Sequence, residues 1–157
     1  MPKLVVGIPI CNEELYIEQT LTSVLQNDLK DVEIVISEKG STDHTLGIVE
    51  KTLSSFPDRL VSKVTLHSRS EVPGATHNWD YCYQNSDSKY FLWVGGHDLI
   101  SSSFIENTLK LIDENDDVSM STGMPYGINS DPNSESISFT PSAMYQNIEQ
   151  NRLKKYL

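Results

Sequence analysis

Leu4-Val5-Val6-Gly7-Ile8-Pro9-Ile10-Cys11-Asn12-Glu13-Glu14 decides the fold. The run Leu4 to Pro9 is largely apolar and β-branched, without alternation. Such a run reads as a strand buried on both faces, as strands of a parallel sheet are. Asn12 is a helix-capping residue type, and Glu13 and Glu14 are the acids a helix N-terminus favours. Ile17, Leu21, Val24 and Leu25 then recur at helical spacing, so the pattern predicts a helix over about residues 13–26.

Working outward, the same alternation repeats. Glu33 to Ser37 is a second strand, followed by the turn-rich Glu38-Lys39-Gly40-Ser41-Thr42-Asp43. Leu46, Val49, Leu53 and Phe56 mark a second helix, closed by Pro57 and Asp58. Leu60 to Leu66 is a third strand, less apolar and nearer an edge. A polar loop from Ser68 to Thr76 leads to a third helix through Ala75, Trp79 and Cys82. Tyr90 to Val94 is the fourth strand, broken by Gly95-Gly96-His97-Asp98. Ile105, Leu109 and Ile112 give a fourth helix with Ser101 to Ser103 as its cap. Strands alternating with helices over short loops imply an α/β fold with a mostly parallel sheet between helical layers. Past residue 116 the signal weakens to a strand at Val118 to Thr122, a loop at Tyr126 to Ser136, a short strand at Ser136 to Thr140 and a polar helix over Ala143 to Leu157.

The chain has 157 residues, a length that suits one domain. It carries 12 Lys and Arg against 22 Asp and Glu, a net charge of −10. That acidity argues against nucleic acid and against anionic membrane surfaces, both of which need clustered Lys and Arg. It leaves room for a single phosphate-bearing ligand, because backbone amides at helix starts bind anions without side-chain charge. Two lone cysteines, Cys11 and Cys82, make no disulfide framework and suit a reducing cytoplasm. No stretch approaches the roughly 18 apolar residues of a membrane span.

In an open parallel sheet, ligands bind beyond the carboxyl ends of the strands. Here those segments are Pro9 to Glu13, Glu38 to Asp43, Arg69 to Gly74 and Gly95 to Asp98. Together they hold glycines, acids and capping residues on one rim. The place after the first strand lacks G-x-G-x-x-G, and neither a Walker A loop nor G-x-S-x-G occurs. A dinucleotide fold of the usual kind, a P-loop and a nucleophile elbow are thereby set aside.

Four motifs in order carry a resemblance. Ile8-Pro9-Ile10-Cys11-Asn12-Glu13-Glu14 resembles the I-P-x-Y-N-E-E opening of glycosyltransferase family 2. Ile36 to Asp43 resembles its V-S-D-N-G-S-T-D, and Gly74 to Asn78 its G-x-x-x-N. Phe91 to Ser101 resembles its W-L-x-D-D-D-x-I-S. The resemblance covers about residues 4–115. It implies a GT-A, Rossmann-like three-layer αβα fold as a single domain over 1–157, with 1–115 as the donor-binding core and 116–157 as a short C-terminal segment, minimal or truncated. It implies transfer of a sugar from a nucleotide-diphosphate-sugar (UDP-, GDP- or dTDP-) to an acceptor, with inversion, in polysaccharide or glycoconjugate synthesis. By position it assigns Pro9, Ile10 and Glu13 to the nucleoside, Glu38 to the base or ribose, and Arg69 and Asn78 to the base and phosphates. Asp98 would hold a divalent cation, Mg²⁺ or Mn²⁺, that neutralises the leaving diphosphate.

Two departures stand out. The acidic cluster is reduced to Gly96-His97-Asp98. His97 reads as a polar residue of the donor rim that could also ligate Mn²⁺. No motif after Asp117 resembles the family's catalytic base; Asp131 and Glu135 are weak candidates, so the base stays unassigned. Several of these residues also have a plainer reading. Asn12 suits a simple N-cap, Gly40 to Asp43 a turn and cap, and Trp79 and Trp93 packing rather than sugar stacking. His44, His67 and His77 read as surface residues, and Lys154 and Lys155 as a solvated helix end. The eroded cluster keeps a second reading open: a GT-A-like module that binds nucleotide or a partner without catalysing transfer.

Overall fold

In the computed structural model, residues 1–69 and 74–123 are described in full, together with the backbone of strands at 126–129 and 138–141. Strand β1 (Leu4–Ile10) is buried at every residue, as its unbroken apolar run requires. It lies between β2 (Val32–Glu38) and β4 (Tyr90–Trp93), with β3 (Val64–Ser68) outside β2. The order is β3-β2-β1-β4 and every pairing is parallel. β3 is therefore an edge strand, as its weaker apolar character suggested.

The two faces of β1 take different helices. Val6, Ile8 and Ile10 pack with Ile17, Leu21 and Val24 of α1 (Ile17–Leu25), Val49 of α2 (Thr45–Ser54) and Ile105 of α5 (Phe104–Asp113). The opposite face meets α4 (Gly74–Gln84). There Gly7 admits close packing: a Cβ on it would stand 2.4 Å from Phe91 Cζ and 2.8 Å from Cys82 Cβ. Helices on both faces of a parallel sheet give the three-layer α/β/α architecture that the sequence predicts.

The register sets the rim. Ile10 pairs with Glu38, and Glu38 with Ser68, so β1, β2 and β3 end level. β4 ends earlier, with Trp93 beside Gly7. The chain then follows β1 through a bond from the Val94 amide to the Gly7 carbonyl (3.0 Å). The order reverses at β1, because the chain moves outward to β3 and then returns to the other side with β4. That reversal marks the crevice where such sheets bind ligands.

Several sequence expectations need correction. α1 starts at Ile17 rather than at residue 13, with Tyr16 at its cap and no side-chain capping bond. Asn12 is not its N-cap; it sits in the left-handed region (φ 57°) and serves another loop. The predicted third strand begins too early: Asp58–Val61 is a helical turn, α3, set off by Pro57 with φ −59°. The N-terminus of α5 is capped from a distance, Asn27 Oδ1 accepting from the Ile105 amide (3.1 Å). No strand forms over Val118 to Thr122. Tyr126–Asn129, expected as loop, is strand β5, antiparallel to β6 (Ser138–Pro141). The chain divides into two compact units, Met1–Lys110 and Leu111–Leu157, and the β5–β6 pair belongs to the second. The helix expected over 143–157 lies outside the described residues, as do Asp131 and Glu135.

Candidate active site

The loops after β1 and β2 lock together. The Asn12 amide donates to Ser41 Oγ (3.0 Å), while Asn12 Oδ1 accepts from the Thr42 amide (2.8 Å). The Glu13 amide donates to Thr45 Oγ1 (2.7 Å) and the Glu14 amide to Asp43 Oδ2 (3.2 Å). In return the His44 amide donates to Glu14 Oε2 (3.0 Å). Asp43 Oδ1 accepts from both the amide and the hydroxyl of Thr45 (3.0 and 2.5 Å). Desolvation would push the Asp43 carboxyl up, but the donors from Thr45 and Glu14 outweigh it and hold the pKa below the ordinary value. Gly40 makes the turn possible at φ 64°, where a side chain is strained.

Beneath that latch lies a buried polar layer. Glu38 is 2% exposed. Burial raises its pKa, yet its bonds from the Ser41 amide, the Ser68 hydroxyl (2.7 Å) and neighbouring groups win, and the carboxyl titrates below its usual value. Ser37 donates to Asn78 Oδ1 (2.6 Å) and accepts from Arg69 Nη2 (3.1 Å). Asn78 Nδ2 reaches the Ile10 carbonyl (3.1 Å). The Arg69 guanidinium stacks over the Tyr81 ring at 3.4 Å, and its Nε is buried without a partner among the described residues. Asn78 and Arg69 thus tie α4 and β3 to the ends of β1 and β2.

The turn after β4 completes the rim. The Asp98 amide bonds to the Gly95 carbonyl (3.0 Å), and Asp98 Oδ2 accepts from the Gly95 amide (3.2 Å). Thr20 of α1 anchors the Gly96 carbonyl through its hydroxyl (2.9 Å). Gly96 is bare for a reason: a Cβ there would stand 2.8 Å from Glu13 Cγ. Across that space Glu13 Oε1 meets His97 Nδ1 at 3.1 Å. Glu13 is largely buried and His97 is 59% exposed.

These pieces enclose a cleft of about 310 Å³ between the β1 and β4 ends. Of the eight residues expected at a donor site, Pro9, Ile10, Glu13, Asn78 and His97 line it. Glu38 and Arg69 sit in the supporting layer, and Asp98 in the exposed turn beside it. Cys11, Lys39, Ala75, Trp79 and Gly96 also line the cleft and were not among the expected ligand contacts. Ala75, Asn78 and Trp79 share one face of α4 at spacings of three and four, a signal visible in the sequence. Trp79 is 39% exposed, so it forms a wall rather than core.

A cation at this rim would draw few ligands from the protein, since the described residues hold no group of three or more metal-ligating side chains. What they offer is the Asp98 carboxylate. A Cβ on Gly95 would stand 2.7 Å from Asp98 Oδ2, so the bare Cα lets that carboxylate close onto the turn. That donor set fits an ion whose remaining ligands are phosphate oxygens and water. No helix among the described residues is long and apolar enough to cross a membrane.

Comparison with known proteins agrees with this architecture. Residues 5–157 match the sequence profile of Glycosyl transferase family 2. The chain is 32% identical over 117 residues to poly(ribitol-phosphate) beta-N-acetylglucosaminyltransferase TarS of Staphylococcus aureus, a match covering 73% of this chain and 19% of TarS. It superposes on the crystal structure of S. aureus TarS 1–349 in complex with UDP-GlcNAc with a TM-score of 0.60 at 23% identity, over 78% of this chain and 38% of that one. Mannosyltransferase PcManGT from Pyrobaculum calidifontis, in complex with GDP-Man and Mn²⁺, superposes with a TM-score of 0.62 at 22% identity, over 71% of this chain and 32% of that one. These superpositions show the fold. The chain spans about a fifth of the length of TarS.

Proposed function

This chain belongs to glycosyl transferase family 2, and from that premise we propose that its rim cleft binds a nucleoside-diphosphate sugar and that the sugar passes, with inversion, to an acceptor in polysaccharide or glycoconjugate synthesis. The observation that carries the reading is the position of the cleft: it opens at the reversal of strand order and is lined by the segments after β1, β2 and β4. The relatives support it, since TarS is seen with UDP-GlcNAc and PcManGT with GDP-Man and Mn²⁺.

Pro9, Ile10 and Trp79 give the nucleoside an apolar wall. Asn78 holds the Ile10 carbonyl and so fixes that wall. Glu38, bonded to Ser41 and Ser68, and Arg69, held to Ser37 through Nη2, shape the cleft from below and keep the Gly40 turn and the end of β3 in place. Lys39 brings a positive charge to the diphosphate in an otherwise acidic chain. Asp98 would hold a divalent cation, which would supply positive charge to the leaving diphosphate. Residues 1–115 serve as the donor-binding part of the chain.

Calorimetric titration with UDP and GDP, with and without Mn²⁺, tests the reading. Saturable binding that needs the divalent ion and is lost in Asp98→Asn is the expected result; absence of binding by either nucleotide overturns it. A second reading, a binding module without transferase activity, is favoured by one observation: Gly96 stands where the family has an acid, and Glu13 fills the space that acid would need. Sugar transfer by this chain to a supplied acceptor counts against that second reading.

A further inference from the structure

We propose that Ser37 is a positioning residue for the donor: its hydroxyl, aimed by Arg69, fixes the amide of Asn78 and through it the Ile10 wall of the cleft. The proposal rests on the donor-site reading above and adds to it a role for a side chain that is itself fully buried.

The bonds form one directed chain. Arg69 Nη2 lies 3.1 Å from Ser37 Oγ. A guanidinium only donates, so Ser37 Oγ accepts there and its single proton is left for another partner. Asn78 Oδ1, at 2.6 Å, takes that proton. With Oδ1 engaged, Asn78 turns Nδ2 to the Ile10 carbonyl at 3.1 Å. Turning the amide over would set Oδ1 against that carbonyl, two acceptors with no proton between them. The Ile10 carbonyl also accepts from the Lys39 amide (3.1 Å), so both of its lone pairs are used. The peptide that leaves β1 is thereby clamped by the end of β2 and by α4. Ile10, Lys39 and Asn78 all line the cleft.

The second observation is what the aiming group gives up. The Arg69 guanidinium lies over the Tyr81 ring, and the Tyr81 hydroxyl meets His67 Nδ1 at 3.3 Å. The Arg69 amide donates to the Glu38 carbonyl (2.9 Å). Yet Arg69 Nε is buried without a partner among the described residues. A neutral side chain would fill this place without that desolvation cost, so stability alone does not account for a guanidinium here. What the charge supplies is direction: it forces Ser37 to accept, and every bond from Ser37 to Ile10 follows.

The test titrates the folded protein with UDP and MnCl₂ by calorimetry, with near-UV circular dichroism to check the fold. Ser37→Ala should weaken UDP binding by about 5- to 30-fold, the factor carried by one or two kcal/mol of lost hydrogen bonding. The double variant with Asn78→Ala should bind no worse than Asn78→Ala alone, because Ser37 acts only through Asn78. Asn27→Ala, which uncaps α5, should lower the melting temperature and leave UDP affinity unchanged. Arg69→Met keeps an apolar stem on Tyr81 and removes the donors, so it carries the test even where Ser37→Ala does not fold. It should weaken UDP and UMP by the same factor, since the wall serves the nucleoside common to both. A much larger loss for UDP than for UMP marks a direct bond from Arg69 to the diphosphate and overturns the proposal. So do unchanged UDP affinity in folded Ser37→Ala or in Arg69→Met, and losses from Ser37→Ala and Asn78→Ala that add; each leaves the donor-site reading standing. Absence of UDP and GDP binding by the wild type overturns both.

Discussion

Gly96 shows how one residue's identity is set by another far along the chain. Its place in the motif suggests a lost acid, yet Glu13 occupies the volume an acid would fill. Gly96→Asp should therefore lower, not raise, the affinity for UDP with Mn²⁺, because the new side chain displaces Glu13 from the wall of the cleft; calorimetry of the variant decides it. Glu38 makes a different case. It is buried and accepts bonds from Ser41 and Ser68, so a Gln in its place puts an amide donor against donors. Glu38→Gln should cost about 1–3 kcal/mol by urea unfolding, the penalty of a buried donor left unpaired. The pH dependence follows from the sign of the shift. The folded-state pKa lies below the unfolded one, so the stabilisation is complete above the unfolded value and fades as pH falls through the folded value. The wild type should lose stability on acidification below the ordinary carboxylate range, and Glu38→Gln should lose less. The two cysteines also differ. Burial pushes the Cys82 thiol up to about 11, whereas Cys11 borders the cleft. Iodoacetamide at neutral pH should modify Cys11 alone in the folded protein, and UDP with Mn²⁺ should slow that reaction; mass mapping of the adduct checks both.

Among the elements, the four strands and most helices are legible in the sequence because a buried parallel strand needs a continuous apolar run and a surface helix needs an apolar stripe. What is not legible has its partner elsewhere. Asn12 looks like the cap of the helix that follows it, but its side chain accepts from Thr42, 30 residues on, so α1 starts four residues after Glu13. Leu60 and Val61 look like the start of a strand, but Pro57 presets the backbone for a helical turn first. The rim segments are likewise visible from spacing, while the contact of Glu13 with His97 is not, because 84 residues separate them. Two predictions belong at this scale. Gly7→Ala forces a methyl against Phe91 and Cys82 and should destabilise by about 1–3 kcal/mol, as overpacking does, read from the urea midpoint. Asp43→Ala removes the acceptor shared by Thr45 and Glu14 and should lower the melting temperature more than Asp58→Ala in the exposed turn α3, with a matching loss of UDP affinity as the Glu13 loop loosens.

For the whole molecule, charge and length frame the function. A chain with net charge −10 repels a diphosphate at long range, so the donor site we propose would rely on a cation and on Lys39, which lines the cleft. The account's central claim is that the cleft between the ends of β1 and β4 is the donor site. Hydrogen–deuterium exchange with and without UDP and Mn²⁺ addresses it most directly. The amides at the start of α4 and in the loops after β1, β2 and β4 lack the full ladder of a helix or sheet, so a ligand seated among them slows their exchange. The account predicts protection confined to residues 10–13, 39–41, 75–79 and 95–98, absent when EDTA replaces the metal. Protection elsewhere, or none at saturating UDP and Mn²⁺, would contradict it.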